Sequence, residues 1–281
     1  MTLPANFQFS QGSLQDYVDC PRRFQLKYVE KLAWPALEIE PALKSENYLQ
    51  QGAIFHRLVQ QFLLGISVEK LSLLAETDTN LIQWWNNFLS SLQLLEGFKN
   101  GSTSSRYPEI ALSVAIGEYR LTGKFDLLLK FDEEFIIYDW KTARIQPKRE
   151  WTQARLQTRV YPYLLKQAGS YLNNGLPISP SRIRMIYWYA NFPTSPLEIN
   201  FNENQLKEDQ RYICRLIDEI HQLNKNSFTM TDNKRRCKFC AYRSFCNRGE
   251  VAGLFEDIEG FEDQELDGFR LDFEQIAEIE Y

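Results

Sequence analysis

The chain has 281 residues, 44% of them hydrophobic and 25% charged, with a net charge of −5. That composition is ordinary for a globular protein and excludes disorder, collagen and a continuous coiled coil. No apolar run reaches the roughly 20 residues of a membrane helix, and the opening MTLPANFQFSQGSLQDY lacks a secretory signal's basic and apolar regions; both predict a cytoplasmic protein.

In chain order, Ser13 is a plausible cap for a helix over 13–33, broken at Cys20-Pro21. The spacing of Leu49, Ile54, Leu58, Val59, Phe62 and Leu63 predicts a helix over 46–64 with those residues on its apolar face. Trp84, Trp85, Phe88, Leu92 and Leu95 extend helical spacing through 68–98, and 100–105 reads as a loop. The period then changes. Segments 110–116, 119–131 and 134–140 read as three strands of an antiparallel meander, turning at Gly117-Glu118 and Asp132-Glu133. A helix is expected over 152–168, a strand over 182–189 and a helix over 202–223. The order predicts an α/β core flanked by helices. No long polar linker divides it. One domain is therefore expected over 1–249: a helical part at 13–98, a core at 105–223 and a cysteine segment at 227–249. An acidic tail follows over 250–281.

Charge is unevenly placed. The tail carries −11, so the body carries +6. A basic body suits a polyanion, and a tail with 12 carboxylates could compete for the same groove or simply aid solubility. Two basic blocks stand out. Between Lys141 and Arg159 lie Arg144, Lys148, Arg149 and Arg155, with Glu150 the lone acid. Between Lys234 and Arg248 there is no acid at all. Both blocks suit a phosphate backbone, with Trp140, Trp151 and Tyr163 as candidate stacking surfaces.

Asp126 lies within an apolar strand, and Asp139 and Lys141 close the next one. Residues at i and i+2 share a strand face, so Asp139 and Lys141 point the same way. If the strands pair as a hairpin, Asp126 comes beside Asp139. Two converging carboxylates repel unless a cation joins them, and such oxygen donors suit Mg²⁺ or Mn²⁺. A lysine beside them can orient a water or stabilise charge on a phosphate. Upstream, Gly52-Ala-Ile-Phe-His56 opens a helix. Downstream, Gln157 and Tyr161 share a helix face.

The cysteines Cys237, Cys240 and Cys246 follow a C-x2-C-x5-C pattern, so a fourth thiolate must come from elsewhere; Cys20 is the candidate. Cys214 lies inside an amphipathic helix and reads as a small core residue. Four thiolates suit a [4Fe–4S] cluster or tetrahedral zinc.

Taken in order, Gly52…His56, Gly123-x-x-Asp126, Ile137-x-Asp139-x-Lys141-Thr142 and Gln157-x-x-x-Tyr161 resemble the RecB-like branch of the PD-(D/E)XK nucleases. One remote N-terminal cysteine with a C-terminal C-x2-C-x5-C resembles its iron–sulfur members, including the AddB nuclease domain and the CRISPR-associated RecB-like exonucleases. The resemblance implies a restriction-endonuclease-like core, a central mixed sheet flanked by helices, with an N-terminal helical insertion and a cysteine-rich C-terminal segment. It implies His56, Asp126 and Asp139 as ligands of Mg²⁺ or Mn²⁺. Lys141 would position or activate the water, and Gln157 and Tyr161 would line the scissile phosphate. Glu109 sits where relatives often carry a glutamate. A structural [4Fe–4S] cluster on Cys20, Cys237, Cys240 and Cys246 is implied ahead of zinc. The implied activity is hydrolysis of DNA, single-stranded or end-resected, in repair or CRISPR spacer acquisition. There is no Gly-x4-Gly-Lys-Ser/Thr, so a helicase would be a separate partner, as would a CRISPR-adaptation protein. The alternatives are a non-cutting DNA-binding scaffold of this fold and a zinc-stabilised nucleic-acid-binding protein.

Overall fold

The computed structural model describes residues 3–4, 6–32, 40–98, 105–131, 133–251 and 253, without the side chains of 40–46 and 49. Nearly all of the acidic tail lies outside this set.

The chain begins with β1 (Gln8–Ser10), α1 (Gln11–Asp19), α2 (Pro21–Phe24) and a π-helical turn over Gln25–Val29. The helix starts earlier than Ser13 suggested. Ser10 is its cap, and Ser10 and Ser13 bond reciprocally as a capping box. Pro21 then opens α2, where its missing N–H costs nothing. Three helices follow: α3 (Glu40–Leu63), α4 (Val68–Ala75) and α5 (Thr79–Ser91). The periodicity over 68–98 hid a break. Asp78 accepts from the N–H groups of Asn80 and Leu81 and starts a new helix there. On α3 the buried stripe is Phe55, Leu58 and Val59, whereas Ile54 is 38% exposed.

The strands β2 (Ser105–Ile116), β3 (Tyr119–Phe131) and β4 (Glu134–Lys141) form the expected antiparallel meander. After α6 (Arg149–Ala154) and α7 (Leu156–Ala168), β5 (Ile183–Tyr189) joins β4 in parallel. This is the crossover connection that a helix normally supplies. The strand β6 (Phe192–Asn200), not expected from the sequence, pairs antiparallel with β5. The chain continues through α8 (Glu203–Gln222), α9 (Lys234–Lys238) and α10 (Arg243–Cys246). The sheet order is β1-β3-β4-β5-β6, with β2 on β3.

Its two faces bury separate cores. One packs Phe125, Ile137 and Tyr187 against α7 and α8, through Val160, Leu164, Ile213 and Ile217. The other packs Leu127, Tyr138, Trp140 and Trp188 against α3 and α5, through Phe55, Trp84 and Phe88. The central strands β4 and β5, covered on both faces, are therefore almost wholly buried and mostly apolar, with Asp139 and Lys141 the buried charges of β4.

Candidate active site

Strand β3 has two partners along one edge. Residues 120–122 pair with β1, and residues 127–131 pair with β4. Between them, Gly123-Lys124-Phe125-Asp126 has no strand partner on that side among the described residues. Both neighbouring elements reach into the gap. The Tyr161 hydroxyl of α7 donates to the Lys124 carbonyl at 2.9 Å, and Asp126 Oδ2 accepts the Trp140 backbone N–H at 2.8 Å.

The alternation of faces also slips here. In β3, Leu121 and Phe125 belong to one core, but Leu127 and Leu129 belong to the other. A period-2 strand allows this only if the backbone is locally distorted. The distortion is shared with β2. Pro108 pairs with Leu127 and Ile110 with Phe125, while Glu109 between them has φ +55. A non-glycine residue with such a φ is rarely found in a strand. Glu109 Oε2 lies 2.5 Å from Lys124 Nζ.

Into this gap the fold brings most of the anticipated residues. His56 Nδ1 of α3 lies 3.2 Å from Asp126 Oδ1. Asp139, 1% exposed, holds Lys141 Nζ 2.9 Å from Oδ2, an ion pair outside hydrogen-bond geometry. The Gln157 amide bridges the pair. Its Nε2 donates to Asp139 Oδ1 at 2.6 Å, and its Oε1 accepts from Lys141 Nζ at 3.0 Å. Tyr187 lies beneath, its ring 5.8 Å from Lys141 Nζ and its hydroxyl 2.6 Å from Thr158 Oγ1. Burial, then the Asp139 charge, pushes the Tyr187 hydroxyl well above its ordinary pKa. Sequence reasoning passed over Tyr187, which is one more aromatic in an aromatic strand.

Glycines permit the close approach. A Cβ at Gly123 would stand 2.6 Å from Leu164 Cδ1 and 3.3 Å from the Tyr161 ring, so the Leu164 side chain or α7 would have to shift. One at Gly52 would stand 3.0 Å from Thr142 Oγ1, where α3 crosses the end of β4.

The basic residues divide. Arg144, Lys148 and Arg149 are exposed. Arg155 is buried, at 5% exposure. Arg159 pairs with Asp209 at 2.8 Å and lies over the Tyr212 ring, tying α7 to α8. Two anticipated stacking surfaces, Trp140 and Tyr163, are core, at 1% and 4% exposure, because both stand on elements packed between layers. Trp151 is 49% exposed.

A second constellation joins the chain ends. Cys20, Cys237, Cys240 and Cys246 line one cavity, whose wall also carries Arg23, Arg236, Arg243 and Arg248. Burial pushes the Cys240 thiol up to about 12, and the same cause raises Cys237 and Cys246. Cys214, on α8, is not on this wall. Beneath Cys20 lies an ion network. Arg23 bridges Asp16 and Asp19 at 2.8 Å each, and Arg236 of α9 reaches Asp19 at 2.6 Å. By residue type, four thiols on one wall could serve a four-thiolate centre, whose negative charge the surrounding guanidiniums would suit. Two carboxylates and an imidazole at the β3 gap are donors that suit Mg²⁺ or Mn²⁺. Among the described residues, no group of three or more His, Cys, Asp or Glu side chains is placed so that it could hold a metal ion as it stands.

A central mixed sheet, opened at one edge and lined there by carboxylates, a lysine and a glutamine, is the restriction-endonuclease-like architecture. The family model of the PD-(D/E)XK nuclease superfamily matches residues 8–247, and the chain belongs to that superfamily. A crystal structure from Eubacterium rectale, of a protein assigned by inference as an exonuclease, shares the fold with TM-score 0.51. Its identity is 11%, over 91% of this chain and 93% of that one. The crystal structure of SSO0001 aligns with TM-score 0.40 and 14% identity over 85% of each chain. No curated protein matches the sequence.

Proposed function

We propose that the protein is a metal-dependent deoxyribonuclease of the RecB-like branch, carrying a structural [4Fe–4S] cluster and acting as an exonuclease on single-stranded or resected DNA. The grouping of Asp126, Asp139, Lys141 and Gln157 at the β3 gap carries this reading.

Asp126, Asp139 and His56 would hold Mg²⁺ or Mn²⁺, which when bound supplies Lewis acidity at the scissile phosphate and a more acidic water. The side chains of this chain do the rest. Asp139 and Gln157 hold the Lys141 ammonium in one position, where it can orient the attacking water or offset charge on the phosphate. Tyr161, bonded to the Lys124 carbonyl, keeps α7 against the gap. Glu109, opposite Asp126 across the β2–β3 ladder, is a further candidate ligand. Arg144, Lys148 and Arg149 would take the phosphate backbone.

Cys20, Cys237, Cys240 and Cys246 would hold the [4Fe–4S] cluster, which supplies a cross-link between the N-terminal helices and the C-terminal segment. Residues 1–249 would then act as one nuclease domain, in repair or in spacer acquisition beside a helicase or adaptation protein. The second reading is a zinc-stabilised or non-cutting DNA-binding protein of the same fold.

The test is anaerobic purification, metal analysis and incubation of end-labelled single- and double-stranded DNA with Mn²⁺. Degradation by the wild type and not by Lys141→Ala is expected, and equal activity of the two would overturn the site. An intact iron–sulfur protein that never cuts would favour the scaffold. Zinc in place of iron would overturn the cluster assignment.

A further inference from the structure

The segment from Thr142 to Leu156 leaves and re-enters the active site. Its two ends are clamped together, because Lys141 Nζ meets Gln157 Oε1 at 3.0 Å. Its course is pinned at both ends. Asn191 Nδ2 donates to the carbonyls of Thr142 and Ala143, and Gln146 Nε2 donates to the Ser195 carbonyl of β6. On the return, Thr158 Oγ1 donates to the Thr152 carbonyl at 2.6 Å and fixes α6 against α7. The outward side chains of this excursion are thus carried on a segment both of whose ends lie at the proposed reacting groups.

Trp151 is one of those side chains. Trp84, Trp85, Trp140 and Trp188 are each no more than 1% exposed, while Trp151 is 49% exposed. A large indole left half in water gives up hydrophobic stabilisation that burial would have supplied. Its segment exposes three cations and one acid, Glu150. Lys148 Nζ lies 5.5 Å from the ring centroid, and Arg144 and Arg149 are exposed on the same segment.

We infer that Trp151 is a base-stacking platform that makes the site prefer single-stranded DNA. This rests on the nuclease reading above and names the residue that selects its substrate. An exposed aromatic ring with a lysine beside it and two further exposed arginines on the same segment matches a strand whose phosphates meet the cations while a base lies on the indole. In a duplex the bases are already stacked and offer no free face. Trp151 is thus a specificity residue and takes no part in hydrolysis.

The test is fluorescence anisotropy of labelled oligodeoxythymidine in EDTA, which removes cleavage from the readout. Trp151→Ala is expected to weaken binding on the order of ten-fold, the size of one lost stack, and Trp151→Phe to recover most of it. An oligomer of abasic sites should bind the wild type and Trp151→Ala alike, and short blunt duplex should be indifferent to the change. Equal thymidine binding by the wild type and Trp151→Ala would overturn the inference and leave the nuclease reading standing, as would an equal loss on abasic and thymidine oligomers. A wild type that binds no DNA at low salt would overturn both.

Discussion

Asp126 Oδ2 accepts the backbone N–H of Trp140 at 2.8 Å, one step beyond the last β3–β4 pair, Leu127 with Tyr138. A side chain has taken a bond that the ladder would otherwise make. The two strands part at this point, and the carboxylate that parts them is the one His56 faces. A backbone donor left unpaired beside the cores would cost stability, so the side-chain acceptor is what makes the opening tolerable.

Lys141→Met should lower cleavage by about 10² to 10⁴-fold. It should also destabilise the fold by about 3–5 kcal/mol, since Asp139 keeps its buried charge and loses its cation. Adding Asp139→Asn should restore most of that stability without restoring cleavage. Denaturant midpoints and cleavage rates on the three proteins check this. Activity returning with stability would reduce Lys141 to a structural partner.

Gly123→Ala should cost about 1–3 kcal/mol, the range for overpacking, because the new methyl overlaps Leu164. It should also depress cleavage to the extent that α7, which carries Tyr161 and Gln157, shifts to relieve the contact. Urea unfolding together with activity at a temperature where the variant stays folded separates the two effects. An unchanged midpoint would mean α7 yields freely at this contact.

Cys20→Ala should lose bound iron and melt earlier, whereas Cys214→Ala should match the wild type in both. Cys20 and Cys237 stand 217 positions apart. Chain entropy for so long a closed loop sets an upper guide of roughly 5 kcal/mol on the linkage. Iron content and thermal melting of anaerobic samples decide it, and full iron in Cys20→Ala would remove that residue from the ligand set. Chelating the iron from the wild type should reproduce the Cys20→Ala melting curve.

Arg23→Met should destabilise the protein by about 3–5 kcal/mol, because Asp16 and Asp19, each 1% exposed, would lose the guanidinium between them. Loss of iron retention should accompany it, as Arg23 also walls the thiol cavity. A variant as stable as the wild type would show that Lys27 and Arg236 suffice to hold the two carboxylates.

Much of this was legible in the residues. The change from period 3.6 to period 2 near residue 105 marked the passage from helices to the meander, because periodicity reports which face is buried. The ordered residues from Gly52 to Tyr161 pointed to the superfamily. Strand β6 was hidden because Phe192–Asn200 buries only one of its nine residues and carries two prolines, as an edge strand tolerates. Strand β1 is three residues long, too short for any pattern.

Side-chain types and spacings along the chain determined most of the elements and named the candidate donor groups. They did so because local propensity and burial period are properties of neighbouring residues. Tertiary structure alone decided that β1 and β4 share one edge of β3, so that a gap opens at Gly123–Asp126. It also decided which basic residues of one block turn inward. Arg155 is buried, Arg159 is held by Asp209, and Arg144, Lys148 and Arg149 reach water. These outcomes depend on contacts between segments far apart in sequence, such as α7 with α8 and β3 with β1, which no local pattern encodes.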